Sequence, residues 1–90
     1  MNKIAPALLV AFATLLPAAA SATDLCNVPQ DQWMPEAQIR ARAAELGYDV
    51  RQVKVEDGCY EIYAIDSNGS KIEAYLHPAT AAVVKVKDKS

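Results

Sequence analysis

The sequence predicts an α+β fold in one domain, a single N-terminal helix packed on a four-stranded antiparallel meander sheet. Three observations carry that expectation. Only one stretch, 35–46, places apolar residues at helical spacing, and a proline and a glycine bracket it. From Tyr48 onward the apolar period drops to two. Turn chemistry interrupts that alternation at Asp57-Gly58, at Ser67-Asn68-Gly69 and at His77-Pro78, which leaves strands at about 49–56, 59–66, 70–77 and 82–87.

The first 22 residues stand apart and raise the apolar fraction to 52%. Met1-Asn2-Lys3 is a positive start, residues 4–16 are apolar except for Pro6 and Thr14, and Ala20-Ser21-Ala22 has the small-x-small form of a cleavage site. The segment 1–22 is therefore expected to be a signal peptide, cut after Ala22 with Ala20 and Ala22 as the recognised residues, leaving 23–90 as the mature domain. Its apolar run falls short of the roughly 20 residues that span a bilayer, so stable membrane insertion is not expected. Leu25 before Cys26 also departs from the small residue that a lipoprotein signal places there. The expected location is periplasmic or secreted.

Pro35 suits the start of a helix because the backbone donor it lacks would have no partner there, and Glu36 favours the positive end of the helix dipole. Ile39, Ala43 and Leu46 fall on one face, while Glu36, Gln38, Arg40, Arg42 and Glu45 face water. Gly47 supplies the left-handed stop.

The strands carry enough pattern to set their own register. A two-residue loop at Asp57-Gly58 puts Val55 opposite Tyr60, Val53 opposite Ile62 and Lys54 opposite Glu61. The second turn must be longer, because a two-residue Asn68-Gly69 loop would set Ile62 against Tyr75. A three-residue loop with left-handed Gly69 instead pairs Ala64 with Ile72, Ile62 with Ala74, and Tyr60 with Leu76. Keeping Val84 and Val86 on the same face sets Val84 opposite Ala74 and Lys85 opposite Glu73. One face then holds Val53, Val55, Tyr60, Ile62, Ala64, Ile72, Ala74, Leu76, Val84 and Val86, and the helix covers it. Lys85, Lys87 and Lys89 guard the last strand against sheet-to-sheet association, which leaves the first strand as the less guarded edge.

A mature domain of about 70 residues has a marginal core and often needs a staple. Cys26 and Cys59 are the only cysteines. In an oxidising compartment they are expected to form a disulfide. The topology agrees, since the short link at Gly47-Tyr48 brings the start of the helix, and Cys26 just before it, back to the Asp57-Gly58 turn that precedes Cys59.

Function classes are mostly excluded. The formal charge of −2, or −3 once Lys3 is removed with the leader, comes with no basic patch for nucleic acid. His77 is the only histidine, and Ser67 and Ser70 flank the opposite turn, so no hydrolase arrangement forms. Cys26, Cys59 and His77 match no zinc spacing. No enzyme activity, cofactor or metal is expected. The outer sheet face is the exception to a bland surface. Tyr63, Ile65, Tyr75 and Val83 sit there among Glu61, Glu73, Lys54 and Lys85, and these four are the candidate partner-binding residues. A homodimer using the same face is the alternative.

Trp33-Met34-Pro35-Glu36-Ala37, Gly47-Tyr48-Asp49-Val50, the run 53–62 and Tyr75-Leu76-His77-Pro78-Ala79-Thr80 together resemble the PepSY domain family over about 33–87. The resemblance implies a helix followed by an antiparallel sheet. It also implies a non-enzymatic module that binds a protein or peptide partner outside the cytoplasm, with peptidases among the candidates, since such domains occur in propeptides of thermolysin-like metallopeptidases. Two residues depart from the family's usual Asp-Pro-x-Thr-Gly turn: His77 replaces the acid and Ala81 the glycine.

Overall fold

The computed structural model describes residues 24–90, and the expected leader and its cleavage site lie outside the described residues. After a short 3-10 turn at Gln30–Gln32 come α1 (Glu36–Glu45), β1 (Asp49–Glu56), β2 (Cys59–Ile65), β3 (Lys71–Leu76) and β4 (Val83–Asp88). The strands form one antiparallel sheet in the order β1-β2-β3-β4, the meander expected from the sequence.

The helix starts after Pro35, which takes the extended N-cap conformation rather than the first helical position. It stops as its glycine dictates. Gly47 sits at φ 93°, the Gly47 N–H donates to the Ala44 carbonyl and the Tyr48 N–H to the Ala43 carbonyl, closing a Schellman cap. Ile39 and Ala43 are fully buried, but Leu46 is exposed because it lies beyond the last helical turn.

The first two hairpins have the expected register. Asp57 and Gly58 both take positive φ, and Val55 pairs with Tyr60, Lys54 with Glu61 and Val53 with Ile62. In the second turn the Asp66 N–H donates to the Ser70 carbonyl, which leaves a three-residue loop with Gly69 at φ 83°. The Asp66 side chain braces it by accepting from the Asn68 and Ser70 N–H groups, each at 2.9 Å.

The third register differs from expectation by two residues. Ala74 faces Val86, Tyr75 faces Lys85 and Glu73 faces Lys87. Two local causes add up. The His77 N–H donates to the Ala82 carbonyl, so four residues separate the strand ends instead of three. That single step would turn β4 inside out, and a bulge between Tyr75 and Leu76 restores its facing by adding a second step. Val83, which precedes the bulge, carries only the single step and lands opposite Leu76, in register with the core face rather than the outer one.

The core comprises Met34, Ile39, Ala43, Tyr60, Ile62, Ala64, Ile72, Ala74, Leu76 and Ala81, with Trp33 and Val53 packed against it. Trp33 lids the helix start as its ring lies 5.2 Å from Tyr60, and its indole N–H donates to the Val28 carbonyl at 2.9 Å. The Tyr60 hydroxyl donates to the Met34 carbonyl at 2.7 Å. The expectation that the helix covers the whole inner face is corrected: Val55, Val84 and Val86 are about half exposed. A helix is about 10–12 Å across, and four strands spaced by about 4.8 Å present a wider face than that.

Cys26 and Cys59 form a disulfide, with Cα atoms 5.1 Å apart. The arm also reaches the first hairpin through its backbone, the Cys26 N–H donating to the Asp57 carbonyl at 2.9 Å. A β-carbon at Gly58 would lie 2.1 Å from the Cys26 carbonyl oxygen, so the residue that makes the turn also admits the arm.

Candidate binding face of the sheet

The outer face is laid out in rows by the strand pairings. Lys54, Glu61, Tyr75 and Lys85 form one row, and Gln52, Tyr63, Glu73 and Lys87 the next. This face is less solvated than its charges suggest. Glu61 is 2% exposed, Glu73 7% and Tyr75 2%.

Lysines account for much of that cover. The Lys54 ammonium lies 5.2 Å from the Tyr63 ring centroid, and those of Lys85 and Lys87 lie 5.8 and 5.5 Å from Tyr75. The charged ends of these lysines thus lie over both rings as cation–π contacts. The expected attraction between Lys54 and Glu61 is present in the register, yet the Lys54 ammonium settles over Tyr63, whose phenol raises its pKa.

Glu61 and Glu73 meet beneath this cover, and two close carboxyl groups do not ionise alike. Burial pushes the Glu61 carboxyl up, and its hydrogen bond with Glu73 adds to the rise. That hydrogen bond holds Glu73 below its ordinary value, with the Lys89 ammonium, 3.5 Å from its Oε2, acting in the same direction. Glu61 is therefore the member of the pair that holds a proton more tightly. Its Oε1 is buried with no hydrogen-bond partner among the described residues.

Beside this pair the face opens into a cleft of about 260 Å³ lined by Arg51, Tyr63, Ala64, Ile65, Lys71, Ile72 and Lys89. A second bulge builds it. Gln52 pairs with Tyr63 but Val50 pairs with Ala64, leaving Arg51 unpaired between them. Uninterrupted alternation would have turned Arg51 toward the helix; the bulge instead lets Val50 pack against the core and leaves Arg51 exposed. It also interrupts the edge of β1, the strand the sequence leaves less guarded.

The four sequence-nominated residues do not stay together. Tyr63 and Ile65 are half-buried and line the cleft. Tyr75 is buried beneath Lys85 and Lys87, and Val83 is turned to the other face by the longer loop before β4. The basic rim of Arg51, Lys71 and Lys89 went unnoticed in the sequence. A signal for it exists: Arg51 occupies a core-parity position directly after an apolar residue of the wrong parity, which is the mark of a bulge.

A family model described as "Peptidase propeptide and YPEB domain" matches residues 6–87, nearly the whole chain. The chain belongs to this PepSY family. Neither a curated protein nor a solved structure matches it. PepSY domains are generally non-catalytic, propeptide-like modules associated with peptidases and are typically extracellular or periplasmic, and the Cys26–Cys59 disulfide is consistent with export. Among the described residues no helix is long and apolar enough to cross a membrane.

At the two departures from the expected turn residues, the backbone does what a glycine and an aspartate would also allow. Ala81 takes φ 65°, the left-handed conformation that a glycine adopts freely. His77 Nδ1 accepts from the Ala79 N–H at 3.2 Å, the contact that an aspartate side chain makes two residues ahead. The turn also anchors the arm, because the Met34 N–H donates to the Pro78 carbonyl at 2.9 Å.

Proposed function

We propose that this protein is an exported, non-enzymatic PepSY module that binds a protein or peptide partner outside the cytoplasm, a peptidase foremost, through the outer sheet face around Tyr63 and Ile65. The observation that supports this is the cleft those two residues line on an otherwise lysine-covered face. Residues 1–22 act as the export signal and Cys26–Cys59 as the staple that makes so small a domain durable in that compartment.

The test is a crosslinking pull-down from the native envelope or secretome, using the wild-type protein and Tyr63→Ser. A discrete partner captured by the wild type and lost from Tyr63→Ser supports the site. Equal capture by both places the contact elsewhere.

Self-association is the second reading, supported by the exposed Val83, Val84 and Val86 on the β4 edge. Sedimentation at high micromolar concentration separates the two, and a monomer there removes the dimer.

A further inference from the structure

The geometry points to an acidic ligand for the outer-face cleft: an extended peptide segment that inserts an apolar side chain against Tyr63 and Ile65 and sets a neighbouring carboxylate among Arg51, Lys71 and Lys89. This rests on the outer face being the binding face and names the chemistry it recognises.

Charge complementarity carries it. The chain is acidic overall, at a formal −2, yet three of its nine Lys and Arg residues rim this one cleft. The two carboxylates in contact with the rim are already engaged. Asp49 accepts from Arg51 at 3.0 Å and Glu73 from Lys89 at 3.5 Å. Lys71 has no ion-pair partner within reach among the described residues. The Arg51–Asp49 pair is exposed on both sides, at 64% and 65%, and such pairs are worth little, so Arg51 can turn to a ligand at small cost. A guanidinium donates two parallel hydrogen bonds to a carboxylate, which suits it to fix the ligand's orientation.

The surroundings disfavour other ligands. A cationic segment would meet Arg51, Lys71 and Lys89 and be repelled. The tyrosine faces that could hold a cation are taken, Tyr63 by Lys54 and Tyr75 by Lys85 and Lys87. Glu61 is 2% exposed beneath this lysine cover and presents almost no surface to a ligand. An extended segment fits because the lining residues are spread across the sheet, from Arg51 on β1 through Tyr63 and Ile65 on β2 and Lys71 on β3 to Lys89 just after β4.

The test is an NMR titration of the intact mature protein with three peptides of equal length. Each has a central leucine, flanked by aspartates, by asparagines or by lysines. The aspartate peptide is expected to shift the amides of Arg51, Tyr63, Ile65 and Lys71 and to weaken as salt rises. Lys71→Gln and Arg51→Gln should each weaken it by roughly two- to five-fold, the scale of one exposed charge contact. Both residues are exposed, so the unshifted remainder of the spectrum reports an intact fold.

Equal binding of the asparagine peptide at the same amides overturns the charge inference and leaves the outer face standing as the binding face. Shifts confined to Lys85 and Lys87 overturn the cleft as the site. If no peptide perturbs the cleft, the inference falls, and the Tyr63→Ser pull-down then decides whether the outer face falls with it.

Discussion

Removing the disulfide tests how a domain this small stays folded. The perturbation is Cys26→Ala with Cys59→Ala, which leaves no lone thiol to pair between molecules. The bridge closes a loop of 33 residues. In the chain-entropy treatment a loop of that length restricts the unfolded chain by about 12.5 cal/mol/K, or about 3.7 kcal/mol at 25 °C. For a domain of 60–100 residues each kcal/mol moves Tm by about 4–8 °C, so the double variant should melt about 15–30 °C lower. Scanning calorimetry reads this directly. Urea denaturation adds a second readout, because an unfolded chain freed of its crosslink exposes more surface and should show a larger m-value. The arm keeps its Cys26 N–H to Asp57 carbonyl contact in the variant, so the loss belongs mainly to the unfolded state. A Tm drop below about 5 °C with an unchanged m-value would refute the reasoning.

Other outcomes follow from single positions. Gly58→Ala adds a β-carbon 2.1 Å from the Cys26 carbonyl oxygen at φ 74°; it should cost more than the roughly 1–2 kcal/mol of the backbone conformation alone, read as a fall in Tm. Ala81→Gly relieves a left-handed alanine and should gain about 0.5–1 kcal/mol once the extra freedom of the unfolded glycine is subtracted, visible as a Tm rise of a few degrees. Glu61→Gln should raise Tm at neutral pH and change it least in acid. The sign follows from the raised carboxyl: the folded protein holds a proton at Glu61 that the unfolded chain releases, so that stabilisation is complete below the ordinary carboxylate value and is lost as pH rises through the raised one. Glu73 works oppositely, its stabilisation being lost as pH falls through its lowered value. The groups facing Glu61 are Glu73, Tyr75, Lys54 and Glu56, all retained in the variant, so the difference between the two pH profiles isolates Glu61.

Most of the fold was legible because three local signals agreed. Asp57, Gly58 and Gly69 take positive φ, and each turn admits one loop length that keeps Val53, Ile62, Ala74 and their neighbours on a common face. The third turn lacked that constraint. His77 and Ala81 disguise an acid and a glycine, and a one-residue longer loop followed by a bulge reproduces the same facing as the shorter loop without one. Alternation cannot tell them apart, because side-chain facing repeats every two residues. The outer face was half legible for the same reason. Tyr63 and Ile65 lie where alternation places them, but Val83 was displaced by the longer third loop, and the depth at which Tyr75 and Glu61 lie depends on where lysine side chains fold. Arg51 needed the β1 bulge to be recognised first.

The most direct measurement of the binding face is hydrogen exchange of the mature protein with and without its captured partner. The account predicts slowed exchange at Arg51, Gln52, Tyr63, Ile65 and Lys71, with α1 unchanged. Protection confined to α1, or to Val83, Val84 and Val86 on β4, would contradict it.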